Sequence, residues 1–295
     1  MRTWIAALAL LCAVICASGA LFAAARAPVA GQAGGLIGIL ADELSREYAA
    51  LKVKGDPPPY YMAYAVTDEQ SDSESATLGA LVSDSHNRAR GFDTTIRVGS
   101  EKSDNYHPFK GSRIQFTRFS ALSLDDDPNQ IRRALWVESD RVYRLASRRL
   151  LQLKTDNQLL AEQSEKDADF SAEPAVQYSR LPESYHFDAE RWANKVRAWS
   201  AEFKSHPKIL GSGVSFRAHR EIRTFVNTDG SKVQQGSNLF RLQMEGAAIA
   251  PDGMDVETFA AIEASDPAHL PADDVVRAKV REIAAKLDGL VAAPP

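Results

Sequence analysis

The chain has 295 residues, a formal charge of −4 and two cysteines, Cys12 and Cys16, both near its start. Acidic and basic side chains are interspersed, with no basic stripe to neutralise phosphates, so nucleic acid is not an expected partner. The length suffices for one large core or two small ones.

The first residues show the three parts of an export signal. Arg2 is the positive start, Trp4 to Ile15 is apolar, and Ala23-Ala24-Ala25 and Ala25-Arg26-Ala27 fit A-x-A cleavage before Pro28. We expect residues 1–27 to be a signal peptide and the protein to be periplasmic or secreted. The alternative is an uncleaved N-terminal membrane anchor, because the apolar run approaches the ~20 residues a bilayer needs. Bulky Leu10, Leu11 and Ile15 before the cysteines argue against lipidation. A chain starting near Pro28 has no cysteine, hence no disulfide framework or thiolate chemistry, and holds 33 basic against 39 acidic residues, a net charge of −6.

Residues 28–35 read as a linker. Leu36, Ile39, Leu40, Leu44, Tyr48 and Leu51 then recur at helical spacing, and Asp56-Pro57-Pro58-Pro59 forces an extended exit. Period two follows in Tyr60 to Thr67, Leu78 to Val82 and Phe92 to Val98, which predicts three strands, with a fourth at Arg113 to Phe119. Asp125-Asp126-Asp127-Pro128 has the residues of a cation site but also those of a helix start, since proline at the first helical position loses no hydrogen bond and carboxylates favour that end. The second reading is preferred. It opens a long helix carrying Ile131, Leu135, Val142, Ala146, Leu150 and Leu153, running to about Glu162. Residues 36–165 thus form one block of helix, strands and long helix.

Residues 166–184 read as a surface loop. In the second block, residues 185–290, Trp192, Val196, Trp199 and Phe203 predict a helix capped by Asp188 and ended by Pro207. Strands are expected at Ile209–Ala218, Ile222–Val226 and Lys232–Ile249, the last two joined by a turn at Asn227-Thr228-Asp229-Gly230. Val256, Phe259, Ala260 and Ile262 predict one further helix, and Val275, Val276, Val280, Ile283 and Leu287 another. The two blocks are expected to form one compact unit, and residues 291–295 read as a truncated linker. The fold class is α/β of the α+β type, with mixed, mostly antiparallel sheets packed against long helices.

No site residue follows from these patterns: catalytic, cofactor-binding and metal-binding positions are all expected to be none. Neither HExxH nor HExxxH is present, and His86, His107, His186, His206, His219 and His269 stand more than ten residues apart. Ser184, His186 and Asp188 lie too close in an extended segment to form a relay. Gly211-Ser212-Gly213 leads into strand-like sequence, so a bulge is preferred to a phosphate turn. Asp104-Asn105-Tyr106-His107 offers one carboxylate, too few for a hard cation. Tyr60, Tyr61 and Tyr64 read as packing rather than a peptide groove.

The opening helix, Pro57-Pro58-Pro59-Tyr60-Tyr61, Leu78-Gly79-Ala80-Leu81-Val82 and Thr95-Ile96-Arg97-Val98-Gly99 with Asp104-Asn105 come in a telling order. After them stand Ala134-Leu135-Trp136, Asp140-Arg141-Val142-Tyr143, Val226-Asn227-Thr228-Asp229-Gly230 and Asp252-Gly253-Met254. Taken in order, these resemble the N-terminal region of the TldD/PmbA family, peptidase family U62, also called modulators of DNA gyrase, in its exported form. The resemblance implies a non-catalytic N-terminal module that contributes to a substrate groove and a subunit interface. The zinc, the HExxxH helix and the cysteine ligand are implied only for a C-terminal catalytic half not contained in this sequence, so no cofactor is expected in this chain and inactivity alone is expected. Implied partners are a metallopeptidase subunit or a second copy of the chain, with peptide as substrate. The alternative is a stand-alone exported binding or scaffold protein.

Overall fold

The structure is a computed structural model that describes residues 35–108, 118–159 and 168–293. The expected signal peptide, most of the linker after it and most of the strand at Arg113 to Phe119 lie outside those residues.

The elements in chain order are helix α1 (Leu36–Lys54), strands β1 (Pro59–Thr77), β2 (Ala80–Ser100), β3 (Ser103–Asp104) and β4 (Ser120–Ala121), helix α2 (Pro128–Leu159), strand β5 (Gln177–Arg180), helix α3 (Ala189–Ser200), strands β6 (Ile209–Asn227), β7 (Lys232–Ile249) and β8 (Asp255–Ala264), and helix α4 (Asp273–Ala292). The sheet order is β3-β2-β1-β6-β7-β5, with β4 on β2 and β8 on β7. Every pairing is antiparallel except β5 with β7. The α+β class read from the sequence is the observed one.

Side chains alternate along each strand, and the even-numbered positions face the helices. Under α1 and α2 they supply Met62, Tyr64, Val66, Phe92, Ile96, Val98 and Val226 to a first core. Further along the same face Ala76, Val214, Phe216, Ala218, Phe240, Leu242 and Met244 meet α3 and α4 in a second. Each fully buried side chain of this size contributes about 1.5–3 kcal/mol, so neither core is dispensable against a net stability of about 5–15 kcal/mol. Between the cores the same face turns polar, at Asp68, Gln70, Asp72 and Glu74.

Helix ends follow the sequence. Asp127 accepts from the Asn129 N–H at 2.8 Å and Asp188 from the Arg191 N–H at 3.0 Å, so both act as caps. The Gly55 N–H closes α1 on the Leu51 carbonyl.

Four expectations need correction. The strands expected at Ile209–Ala218 and Ile222–Val226 are one, β6, continuous from Ile209 to Asn227. Tyr60–Thr67, Leu78–Val82 and Phe92–Val98 are not three strands but two long ones, because Leu78 and Gly79 both take positive φ, 47° and 78°, and turn the chain back as a two-residue hairpin. Val256 to Ile262 is strand β8 rather than helix: its exposure alternates strictly, and each residue pairs with β7. The tail read as linker is still helical through Ala292, with Val291 buried. Strand β5 was not expected; its four residues show no apolar alternation and owe their conformation to the edge of β7.

Candidate functional site

The β1–β2 register brings residues 14 apart in sequence face to face: Asp72 pairs with His86 and Glu74 with Asp84. All four side chains stand on the helix-facing side, at the edge of the second core. His86 Nδ1 lies 2.9 Å from Asp72 Oδ1, and its Nε2 lies 2.8 Å from Asp84 Oδ1. Asp72 is itself held, by the Gln70 amide at 2.9 Å and the Tyr185 hydroxyl at 3.4 Å. The Phe187 ring meets His86 edge-on at 5.5 Å.

Glu74 is fully buried, no N–H or hydroxyl donor reaches its carboxylate oxygens, and the polar group beside them is the Asp84 carboxylate. Leaving a buried acceptor unpaired costs about 1–3 kcal/mol, more when it is charged. Burial, and then the Asp84 carboxylate, push the Glu74 carboxyl up to about 7. The hydrogen bond to Asp72 holds the His86 imidazole above its ordinary value, with Asp84 adding to the effect. Among the described residues, Glu74, Asp84 and His86 each point one potential metal-ligand atom into a common space, all within 4.8 Å of one another.

The positions weighed from sequence fall elsewhere. Asp104 is fully buried, and its carboxylate takes Arg97 Nη1 and the Tyr60 hydroxyl, each at 2.5 Å, and the Tyr106 N–H at 2.6 Å. Arg97 in turn lies over the rings of Tyr106 and Phe170. His107 pairs with Asp169 at 2.7 Å. This loop is a structural lock that ties β2 to the segment around Phe170. Tyr61 packs on Phe170, and Tyr64 is buried with its hydroxyl on Ser139. Asp126 binds Arg90, which also holds Asp68. Asp188 serves as a cap and is not joined to Ser184 or His186. His219 stands on the opposite sheet face, paired with Ser71 and Leu239. Gly211 lies at a register shift between β6 and β7, as a bulge requires.

Beside the cluster, residues 178–186 border an open groove of about 990 Å³ along β6 and β7. It is lined by Arg180, Tyr185, His186, Glu221 and Asn238 among others.

Nothing in the sequence around Glu74 and Asp84 marks them as site residues, and His86 has no histidine or cysteine near it in the chain. The Leu78-Gly79 turn alone would set 72 opposite 85 and 74 opposite 83; the register shift between Ser75 and Ala76 moves the pairing by one, to 72 with 86 and 74 with 84.

No protein-family profile matches the chain, and no curated protein matches its sequence. Solved structures do. TldE from Thermococcus kodakarensis aligns over 84% of this chain with a TM-score of 0.52 and 13% identity. The fold is that of the TldD/PmbA proteins. Two candidate modulators of DNA gyrase have the same architecture: one from Thermotoga maritima, over 83% of this chain at TM-score 0.50 and 12% identity, and one from Bacteroides thetaiotaomicron, over 84% at 0.50 and 9%. The chain spans about half the length of these proteins, 47% of the first two and 49% of the third. At such identities the TldD/PmbA likeness is one of fold. No helix among the described residues is long and apolar enough to cross a membrane.

Proposed function

We propose that the chain is the non-catalytic N-terminal module of an exported TldD/PmbA-like metallopeptidase, contributing to a substrate groove and a subunit interface. The observation that carries this reading is that 84% of the chain matches less than half of TldE. The zinc implied by the family needs an HExxxH helix and a cysteine ligand, and no position from Pro28 onward offers either. No step of hydrolysis is therefore assigned to residues of this chain. Strands β6 to β8 leave Leu210, Ile249 and Phe259 exposed, with Met254 in the turn before β8, which suits a surface covered by a partner subunit or a second copy. Export rests on residues 1–27, and the interspersed charges speak against nucleic acid.

The test is co-expression with a TldD/PmbA-type polypeptide that carries HExxxH. A stable complex is expected, with peptide hydrolysis confined to it. Chelator-sensitive cleavage by the pure chain alone would overturn the reading. Protein recovered after export should begin near Pro28.

A second reading, a stand-alone exported binding or scaffold protein, draws on the closure of both cores by the chain's own helices and on the 990 Å³ groove. It predicts a monodisperse protein that forms no complex with the catalytic polypeptide.

A further inference from the structure

We infer that Glu74, Asp84 and His86 form a binding site for a divalent transition-metal ion of the zinc class. The inference does not depend on the module reading.

Four observations carry it. The three ligand atoms already lie within 4.8 Å of one another, whereas the ligands of a tetrahedral ion at 2.0–2.2 Å sit roughly 3.3–3.6 Å apart. Side-chain shifts on the order of 1 Å close that gap. Glu74 is completely buried with no donor on either oxygen, a state that an ion would relieve. Asp72 bonds the far nitrogen of His86 and so leaves Nε2 facing Asp84 and Glu74, the carboxylate–histidine–metal arrangement in which an outer carboxylate fixes the ring. Asp72 is buried and tied down by Gln70 and Tyr185, so the orienting group is itself oriented.

Charge points the same way. Asp72, Glu74 and Asp84 bring three carboxylates to one imidazole, the Arg197 guanidinium of α3 offsets part of that charge, and a divalent cation would neutralise the remainder. The donor set decides the class of ion. One imidazole nitrogen with two carboxylates suits Zn²⁺, Co²⁺ or Ni²⁺, whereas Ca²⁺ and Mg²⁺ call for oxygen ligands alone. With three protein ligands, a fourth position is left for water or for a group from a partner. Glu74 lies four residues before Leu78 and Asp84 five after Gly79, so the ion would clamp β1 to β2 near the hairpin tip.

The test uses the full chain without a histidine tag. Zn²⁺ is titrated against a chromophoric chelator, and melting temperature is read with and without Zn²⁺, Ca²⁺ and Mg²⁺. Zn²⁺ should raise the melting temperature of the wild-type chain, and Ca²⁺ should not. Glu74→Gln and His86→Ala should each weaken Zn²⁺ binding at least tenfold, and Asp72→Asn about 10–100-fold through the ring it positions. Glu74→Gln should also melt higher than wild type in the absence of metal, because it removes a buried charge, while losing the Zn²⁺ increment. A misfolded variant would fail that first half and be recognised. Co²⁺ should give a visible absorption band in the wild type that is absent from His86→Ala. Unchanged Zn²⁺ affinity in all three variants, equal affinity for Ca²⁺, or no binding by wild type would overturn the assignment.

Discussion

Asp72 Oδ1 stands 2.9 Å from His86 Nδ1, across a directly opposed pair of a hairpin whose turn lies six residues from Asp72 and seven from His86. The contact settles which edge of the imidazole meets Glu74 and Asp84. It exists because the register shift between Ser75 and Ala76 converts the even-to-odd pairing of the tip into even-to-even pairing further down. A one-residue slip of β2 against β1 would turn Asp84 and His86 away from the face that carries Asp72 and Glu74.

The tip itself is under strain. Leu78 adopts φ 47° in a turn that favours asparagine followed by glycine, and its side chain is 44% exposed. Leu78→Asn should therefore stabilise the protein by about 1 kcal/mol, measured by urea denaturation. An unchanged or lower midpoint would show that Leu78 makes compensating contacts.

The Asp104 lock predicts the opposite sign. Removing its carboxylate leaves the Arg97 guanidinium unpaired while Tyr106 and Phe170 still hold it in place. Asp104→Ala should cost about 3–5 kcal/mol. Loss below about 1 kcal/mol would mean that water replaces the carboxylate readily.

Glu47 makes stability depend on pH. It is 6% exposed on α1, and burial raises its pKa, against the pull of Arg46 and with Glu43 beside it. A carboxyl whose folded pKa exceeds its unfolded one holds its proton more tightly in the folded state. Its contribution is thus most favourable below the ordinary value of 4.5 and is lost as pH rises through the folded value. Glu74 acts with the same sign, so the informative quantity is the difference between wild type and Glu47→Gln. That difference should grow in favour of the variant from pH 4 to 7, and a flat difference would refute the shift.

Gly236 marks a backbone contact that no side chain can share. A Cβ there would lie 2.2 Å from the Glu221 carbonyl oxygen and 3.1 Å from Ile222 Cα on the paired strand. Because backbone atoms of a ladder cannot swing aside, Gly236→Ala should destabilise by on the order of 1–3 kcal/mol. A neutral outcome would place the true register elsewhere.

The two cores share strands, which predicts one unfolding transition. Leu135→Ala in the first core and Leu242→Ala in the second should each cost about 2–5 kcal/mol and shift the same single melting curve. Separate transitions for the two variants would show that the cores melt independently.

Where a residue's neighbours are local in sequence, the fold was legible. Asp127 and Asp188 sit one residue before helices whose apolar stripes repeat at three and four, and both cap as read. Where neighbours are remote, it was not. Val256, Phe259, Ala260 and Ile262 fit helical spacing by accident of composition, and only the ladder with β7 makes them a strand. The Leu78 turn was hidden because leucine lacks the preference for positive φ that marks such turns. With the turn went the register, and with the register the only route to Glu74, Asp84 and His86 as one group. The loop at Asp104 to His107 reads as an ordinary polar loop, and nothing local reveals that Arg97 and Tyr60 converge on a fully buried Asp104.

Strands β1 and β6 each run 19 residues through both cores without interruption. At about 3.3 Å per residue each strand is roughly 60 Å long, and the two pair without a break from Ala63 with Asn227 to Ala76 with Val214. Such a beam cannot fold at its middle without breaking several rungs at once, so it offers no hinge. Whatever docks at the Leu78 tip is held at a constant span from whatever meets the Pro59 end, and a push on one is felt at the other as displacement of the whole, in the manner of a ruler rather than a clasp.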